Sequence, residues 1–235
     1  MLYTRTIKKK RIRFFTAMLV IVTALGGTAV SDKVYKSGDP GVSDIAITID
    51  DCFDIEVLER MLDLFLKENV RVTFFPAGSF VRDKDGDIWR RVITEGHEIG
   101  NHTQNHRDLT KLKLNRVKDE LRNAQNTLNR VLGFEYPLTF MRPPYGSFNA
   151  NNTLKKIYHS GYDRVIFWSV SQRSAQAYLK DIRNGSVCLF HTKKQDLKIL
   201  SELIPQLKEK QFNLVTVSEL FRFTDEKNLN EPPGQ

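Results

Sequence analysis

Ile45-Ala46-Ile47-Thr48-Ile49-Asp50-Asp51 is a short β-branched run that closes on two adjacent carboxylates. Such a run suits a strand buried on both faces, as in the parallel sheet of an α/β protein. Neighbouring carboxylates at its end are costly to desolvate unless a cation compensates them. A matching half lies further along, in His102-Thr103-Gln104-Asn105-His106. Histidines four apart lie on one face of a helical turn, so His102 and His106 can converge on one ion. One carboxylate and two imidazoles leave a coordination position open, as catalytic metal sites do. Taken singly, each half also has a plain reading. The histidines fit a solvated turn, and the carboxylates fit a helix N-cap followed by a first-turn acid.

The rest of the chain tilts the balance. After a Gly/Pro/Ser-containing linker near residues 37–43, strand and helix patterns alternate to the end. Leu58, Met61, Leu62, Phe65 and Leu66 recur at helical spacing after the carboxylates. A strand is expected at 71–75 and a short helix at 89–94, stopped by Gly96. Val117, Leu121, Ala124, Leu128 and Val131 mark the longest amphipathic helix. Further strands are expected at 139–142, 164–168, 186–191 and 212–216, with a last helix over about 197–210. Regular alternation implies a mainly parallel sheet, open or closed into a barrel. Asp50, Asp51, His102, Arg142 and His191 then gather at the C-terminal ends of strands, where catalysis sits in α/β barrels.

The N-terminus reads differently. Residues 1–13 carry six bases and no acid, and 14–30 are uncharged and mostly apolar. This pattern predicts a signal peptide or membrane anchor over 1–30 and an extracytoplasmic location for the remaining chain, with a tether through 14–30 if the segment is retained. Six of the eight net positive charges arise there: without residues 1–30, 30 bases face 28 acids. A nearly neutral domain lacks the basic patch that nucleic-acid binding requires, and no feature points to a protein partner. The expected organisation is a linker at 31–43, one domain at 44–222 and a polar tail at 223–235. Cys52 and Cys188 are expected to be unpaired, His97 to be structural, and His159 to cap a last helical turn.

Four ordered motifs resemble the polysaccharide deacetylases of the NodB-homology class, carbohydrate esterase family 4. They are Thr48-Ile49-Asp50-Asp51-Cys52, His102-Thr103-Gln104-Asn105-His106, Arg142-Pro143-Pro144-Tyr145-Gly146 and Leu189-Phe190-His191. The second is preceded by the family-like Gly96-His97-Glu98-Ile99-Gly100-Asn101. The resemblance spans about 44–221 and implies a distorted (β/α) barrel in which Asp51, His102 and His106 hold a divalent metal, with zinc expected. It makes Asp50 the general base on the attacking water, oriented by Arg142, and His191 the acid that protonates the leaving amine. The backbone N–H of Tyr145 would stabilise the oxyanion on a loop stiffened by Pro143 and Pro144. Tyr145, Phe148 and Trp168 are candidates to stack on sugar rings.

Two departures qualify the resemblance. The fourth motif places aspartates in a segment that reads Phe167-Trp168-Ser169-Val170-Ser171-Gln172-Arg173-Ser174-Ala175, so the carboxylate that partners the catalytic histidine is replaced by serine at 171 and 174. Asp163 lies at the wrong end of its strand to substitute, and Asp181 sits on a helical segment of undefined direction. Cys52-Phe53 also replaces the usual Gly-Pro. Two functions are compatible with this pattern. One is metal-dependent N-deacetylation of an extracytoplasmic polysaccharide, peptidoglycan or a related aminosugar polymer; the other is an impaired domain that binds cell-wall glycan without turnover. A non-haem iron oxygenase also uses two histidines and a carboxylate, but Asp50 and His191 fit hydrolysis better. Thr103 rules out an H-E-x-x-H metalloprotease.

Overall fold

The computed structural model describes residues 34–149 and 152–223. The segments read as 1–30 signal or anchor and 223–235 tail lie outside these residues, apart from Phe223. Among the described residues no helix is long and apolar enough to cross a membrane.

Among the described residues, seven strands and seven α-helices follow one another: β1 (Val34–Tyr35), β2 (Asp44–Asp51), α1 (Ile55–Glu68), β3 (Thr73–Pro76), α2 (Gly86–Thr94), β4 (Glu98–Ile99), α3 (Leu114–Leu132), α4 (Thr153–Tyr158), β5 (Val165–Ile166), α5 (Ala175–Asp181), β6 (Val187–His191), α6 (Lys194–Glu209), β7 (Asn213–Val215) and α7 (Val217–Phe221). All strand pairings are parallel, and β2 is the hub. It pairs with β6 on one side, and on the other with β7 at its start and β3 at its end. From β3 the sheet continues to β4.

The strand expected at 139–142 is reduced to single bridges at Met141, which joins Asn101 to Val165. Val170 bridges to Cys188 in β6. These bridges connect the β4 end of the sheet back to β6, so the pairings run in a closed ring. Pro137, Pro143 and Pro144 flank the short strand, and proline cannot donate to a ladder. That accounts for its brevity.

Burial follows from parallel pairing. Ile45, Ala46, Ile47, Thr48 and Ile49 are fully buried: Ile45, Ile47 and Ile49 join the main core with α1 and α6, while Ala46 packs on the opposite face with Phe75, Phe140, Ile166 and Val187. The helix patterns hold, with Val117, Leu121, Ala124, Leu128 and Val131 all buried in α3. Leu66 departs from expectation: it is 61% exposed on α1, although its neighbours Leu62 and Phe65 face the core. The short helix α7 was not expected; it is held by a capping box between Thr216 and Glu219. Both cysteines are buried and unpaired.

Candidate metal and catalytic centre

Register builds the centre. β2 and β6 are paired so that Asp50 lies directly opposite His191, and β3 pairing sets Asp51 opposite Pro76. Asn101 pairs with Met141, and its carbonyl accepts the Arg142 N–H at 2.9 Å. The next residues in each segment, His102 and Arg142, are thereby neighbours.

His102 and His106 converge, but not on a helical turn as their spacing suggested. The segment is a loop in which Thr103 (φ 68°) and His106 (φ 50°) take left-handed conformations. Three clamps hold it. Asn101 Oδ1 accepts the Thr103 N–H at 2.8 Å, while Asn101 Nδ2 donates to Leu121 O and Tyr162 Oη. Glu120 on α3 accepts both the backbone N–H and the side-chain amide of Asn105, at 2.7 and 3.0 Å. Gly78 and Ser79 donate to Thr103 O and Gln104 O. A Cβ at Gly78 would lie 2.2 Å from Gln104 Oε1 and 3.2 Å from Ala124 Cα on α3, so glycine lets this segment approach the loop and α3 closely.

Strain concentrates at the centre. Among the described residues, eight non-glycine residues have positive φ, and five of them, Asp51, Cys52, Thr103, His106 and Tyr145, belong to its motifs. Such backbone persists only where surrounding structure over-determines it. Cys52 (φ 57°) occupies the place of the family-like glycine, which would adopt this conformation at lower cost.

Asp51 Oδ1 lies 3.0 Å from His106 Nε2 and 3.4 Å from His102 Nε2. One ligand atom from each of these residues falls within 4.8 Å of the others. The tautomer of His102 is set: Nδ1 is 2.7 Å from Arg142 O, and a carbonyl can only accept, so Nδ1 carries the proton and Nε2 keeps its lone pair. Burial opposes ionisation of Asp51, but hydrogen bonds from His102 and His106 and their positive charge when protonated outweigh it and hold its carboxyl well below the usual carboxylate range. One carboxylate and two imidazole nitrogens, that of His102 on a ring of fixed tautomer, fit a divalent cation.

Asp50 is held beside this set by Arg142, whose Nη1 donates to Asp50 Oδ1 at 2.6 Å. Arg142 is fully buried. It also donates to Thr48 Oγ1, Ile166 O and Phe167 O, and its guanidinium lies 4.1 Å from the Phe75 ring centroid. Thr48, read only as a strand residue from sequence, completes this cradle and donates in turn to Cys188 O at 2.8 Å.

The Pro143-Pro144-Tyr145-Gly146 loop places Tyr145 at the rim, 67% exposed, with its ring 4.5 Å from that of His106. Pro144 is buried beneath it. Gly146 (φ 59°) packs against Trp168, whose Cη2 would lie 2.7 Å from a Cβ there. Trp168 is half-buried and supports the loop from beneath Gly146. Phe148 is drawn toward the core instead, 5.4 Å from Phe167.

His191 is half-buried. Burial disfavours its charged form, but Asp196, then Asp50 and Asp51, outweigh that and raise its pKa, with Lys193 opposing. Asp196 was not picked out from the sequence. It lies in the first turn of α6, where Oδ2 accepts the His191 N–H at 2.7 Å and stands 3.7 Å from His191 Nδ1. Ser174 caps α5 by accepting the Ala177 N–H, Ser171 is exposed, and exposed Asp181 accepts from Gln172. His97 and His159 are structural as expected. His97 Nδ1 accepts the Val72 N–H at 3.1 Å, and His159 Nδ1 bonds Lys155 O at the end of α4.

The model of the family described as polysaccharide deacetylase matches residues 37–165. The chain is 32% identical over 205 residues to a peptidoglycan-N-acetylglucosamine deacetylase of Bacillus cereus, covering 81% of this chain and 73% of that protein. It is also 32% identical over 198 residues to the uncharacterized protein YlxY of Bacillus subtilis, where it spans 80% of itself but 60% of the relative. The solved peptidoglycan N-acetylglucosamine deacetylase Bc1960 superposes with a TM-score of 0.74 at 31% identity, covering 83% of this chain and 95% of that one. The ordered motifs, the parallel α/β fold and these likenesses agree: this chain belongs to the polysaccharide deacetylase family, carbohydrate esterase family 4.

Proposed function

We propose that this protein is a metal-dependent deacetylase that removes acetyl groups from an extracytoplasmic N-acetylated polysaccharide, with peptidoglycan as substrate. The observation that carries this reading is Asp50, ion-paired to a fully buried arginine, beside the convergent Asp51, His102 and His106 and opposite His191. The peptidoglycan deacetylases among its relatives support the substrate class. The basic and apolar N-terminal pattern supports export, with residues 14–30 as the tether if they are retained.

Asp51, His102 and His106 would hold the divalent ion, with zinc favoured by two imidazoles and one carboxylate. When bound, the ion supplies Lewis acidity and lowers the pKa of water at the site. Asp50, kept off the ligand set by Arg142, accepts a proton from the attacking water. The Tyr145 amide, which bonds no protein acceptor among the described residues, is positioned to donate to the oxygen that gains charge. His191 gives its proton to the amine nitrogen as the C–N bond breaks, so the amine leaves neutral. Acetate and the free aminosugar are the products.

The test is acetate release from peptidoglycan by the full chain after chelation and after zinc is restored. The reading expects loss and recovery. Release that is indifferent to chelation overturns the metal assignment, whereas glycan binding without release at any metal level supports the impaired domain suggested by Ser171 and Ser174.

A further inference from the structure

Acid catalysis by His191 requires its ring to be held in one tautomer and orientation, and the fourth-motif serines offer no carboxylate for that purpose. We propose that Asp196 is the positioning residue for His191, a role supplied from the first turn of α6 rather than from the segment after β5. This inference rests on the deacetylase reading above.

The geometry is local and specific. After β6 the chain turns within two residues, with Lys193 N–H donating to His191 O at 2.7 Å, and α6 begins at Lys194. That turn brings Asp196 back over the histidine it follows. A single oxygen, Oδ2, accepts the His191 backbone N–H at 2.7 Å and faces the ring Nδ1 at 3.7 Å. The backbone bond pins the carboxylate beside the ring, and at 3.7 Å Nδ1 stands just outside hydrogen-bond range of it. Catalytic hydrogen bonds are commonly long in the free enzyme and tighten with substrate. The two side chains are 29% and 17% exposed, so solvent screens the pair only in part. The charged groups acting on His191 are Asp196, Asp50, Asp51 and Lys193. Asp50 is already bound to Arg142 and Asp51 faces the histidine pair, which leaves Asp196 to take Nδ1–H.

The chemistry balances. With Nδ1–H directed at Asp196, Nε2 is the nitrogen that carries and releases the exchanged proton. As the C–N bond breaks, its electron pair goes to nitrogen and the Nε2 proton follows. The ring keeps Nδ1–H throughout, and Asp196 takes no part in the transfer.

The competing account makes Asp196 only a first-turn acid that accepts an amide. Asp196→Asn separates the two, because asparagine retains an oxygen for the His191 N–H while removing the charge. In the full chain, Asp196→Asn is expected to lower kcat for acetate release from N-acetylglucosamine oligomers by about 10- to 100-fold, the usual cost of losing an outer partner of a catalytic group. KM is expected to stay unchanged. The imidazole ¹⁵N shifts of His191, assigned with His191→Gln and recorded where the ring is neutral, should move from the Nδ1–H form in wild type toward a mixture in Asp196→Asn. A wild-type kcat in the variant overturns the proposal. If the wild type releases no acetate, the deacetylase reading fails by itself, and the ¹⁵N spectrum still decides: shifts identical in wild type and variant overturn the positioning role.

Discussion

At the scale of single residues, Arg142 links the two halves of the centre. Its guanidinium orients Asp50, and its carbonyl sets the tautomer of His102. Replacing it by glutamine keeps the backbone carbonyl but leaves the Asp50 carboxylate buried without its cation. Breaking a buried pair from one side typically costs about 3–5 kcal/mol. Arg142→Gln is therefore expected to lower urea-unfolding stability by that order; a loss within measurement error would show that Asp50 is solvated without the pair. That Asp50, Asp51, His102, His106, Arg142 and His191 come together was legible in the sequence, because each sits in a short motif at or just beyond a strand end. Thr48 and Asp196 were not. Thr48 reads as an ordinary β-branched strand residue, and its role depends on where Arg142 arrives from across the sheet. Asp196 follows His191 closely, but only the tight turn into α6 folds it back, and an acid in a first helical turn ordinarily reads as a dipole partner.

At the scale of elements, the histidine loop shows where spacing misleads. Four-residue spacing suggested a helical turn, yet the imidazoles converge from a loop with left-handed residues at Thr103 and His106, clamped by Asn101, Glu120 and Gly78. Asn101 clamps the loop locally, but Glu120 lies on α3 and reaches it only once α3 has docked. Glu120→Ala should leave α3 intact, since alanine is the best helix former, while freeing Asn105. Zinc affinity is then expected to fall by about 10- to 100-fold in a competition titration, the range typical for outer partners of metal ligands. Unchanged affinity with unchanged helicity would show that Glu120 does not hold the ligands. The strands were legible where β-branched residues run together, as in β2 and β6. The 139–142 segment was overread, because its prolines cut the ladder to bridges at one residue.

At the scale of the whole molecule, the parallel α/β architecture followed from strand and helix alternation. The closing bridges and the hub role of β2 depend on long-range pairing that no window of sequence contains. Global stability carries a signature of the same buried sheet. His97 lies edge-on to Phe65 and Phe74 and accepts the Val72 N–H; burial, then the charges of Arg91 and Arg71, pull its pKa down from 6.5 to about 4. Between those values the unfolded chain binds a proton that the folded chain does not, so stability falls as pH drops from 6.5 toward 4. At about 1.4 kcal/mol per pKa unit the full effect is roughly 3 kcal/mol. His97→Gln, which keeps an acceptor for Val72, should flatten that part of the pH profile in urea unfolding; an unchanged slope would assign the acid sensitivity to other groups. The central claim, that the Asp50 carboxylate performs base catalysis beside a bound metal, is tested most directly by acetate release from peptidoglycan by the zinc-loaded full chain and its Asp50→Asn variant. The account predicts release by the wild type and none by the variant, with equal zinc content in both. Equal release by the two proteins would contradict it.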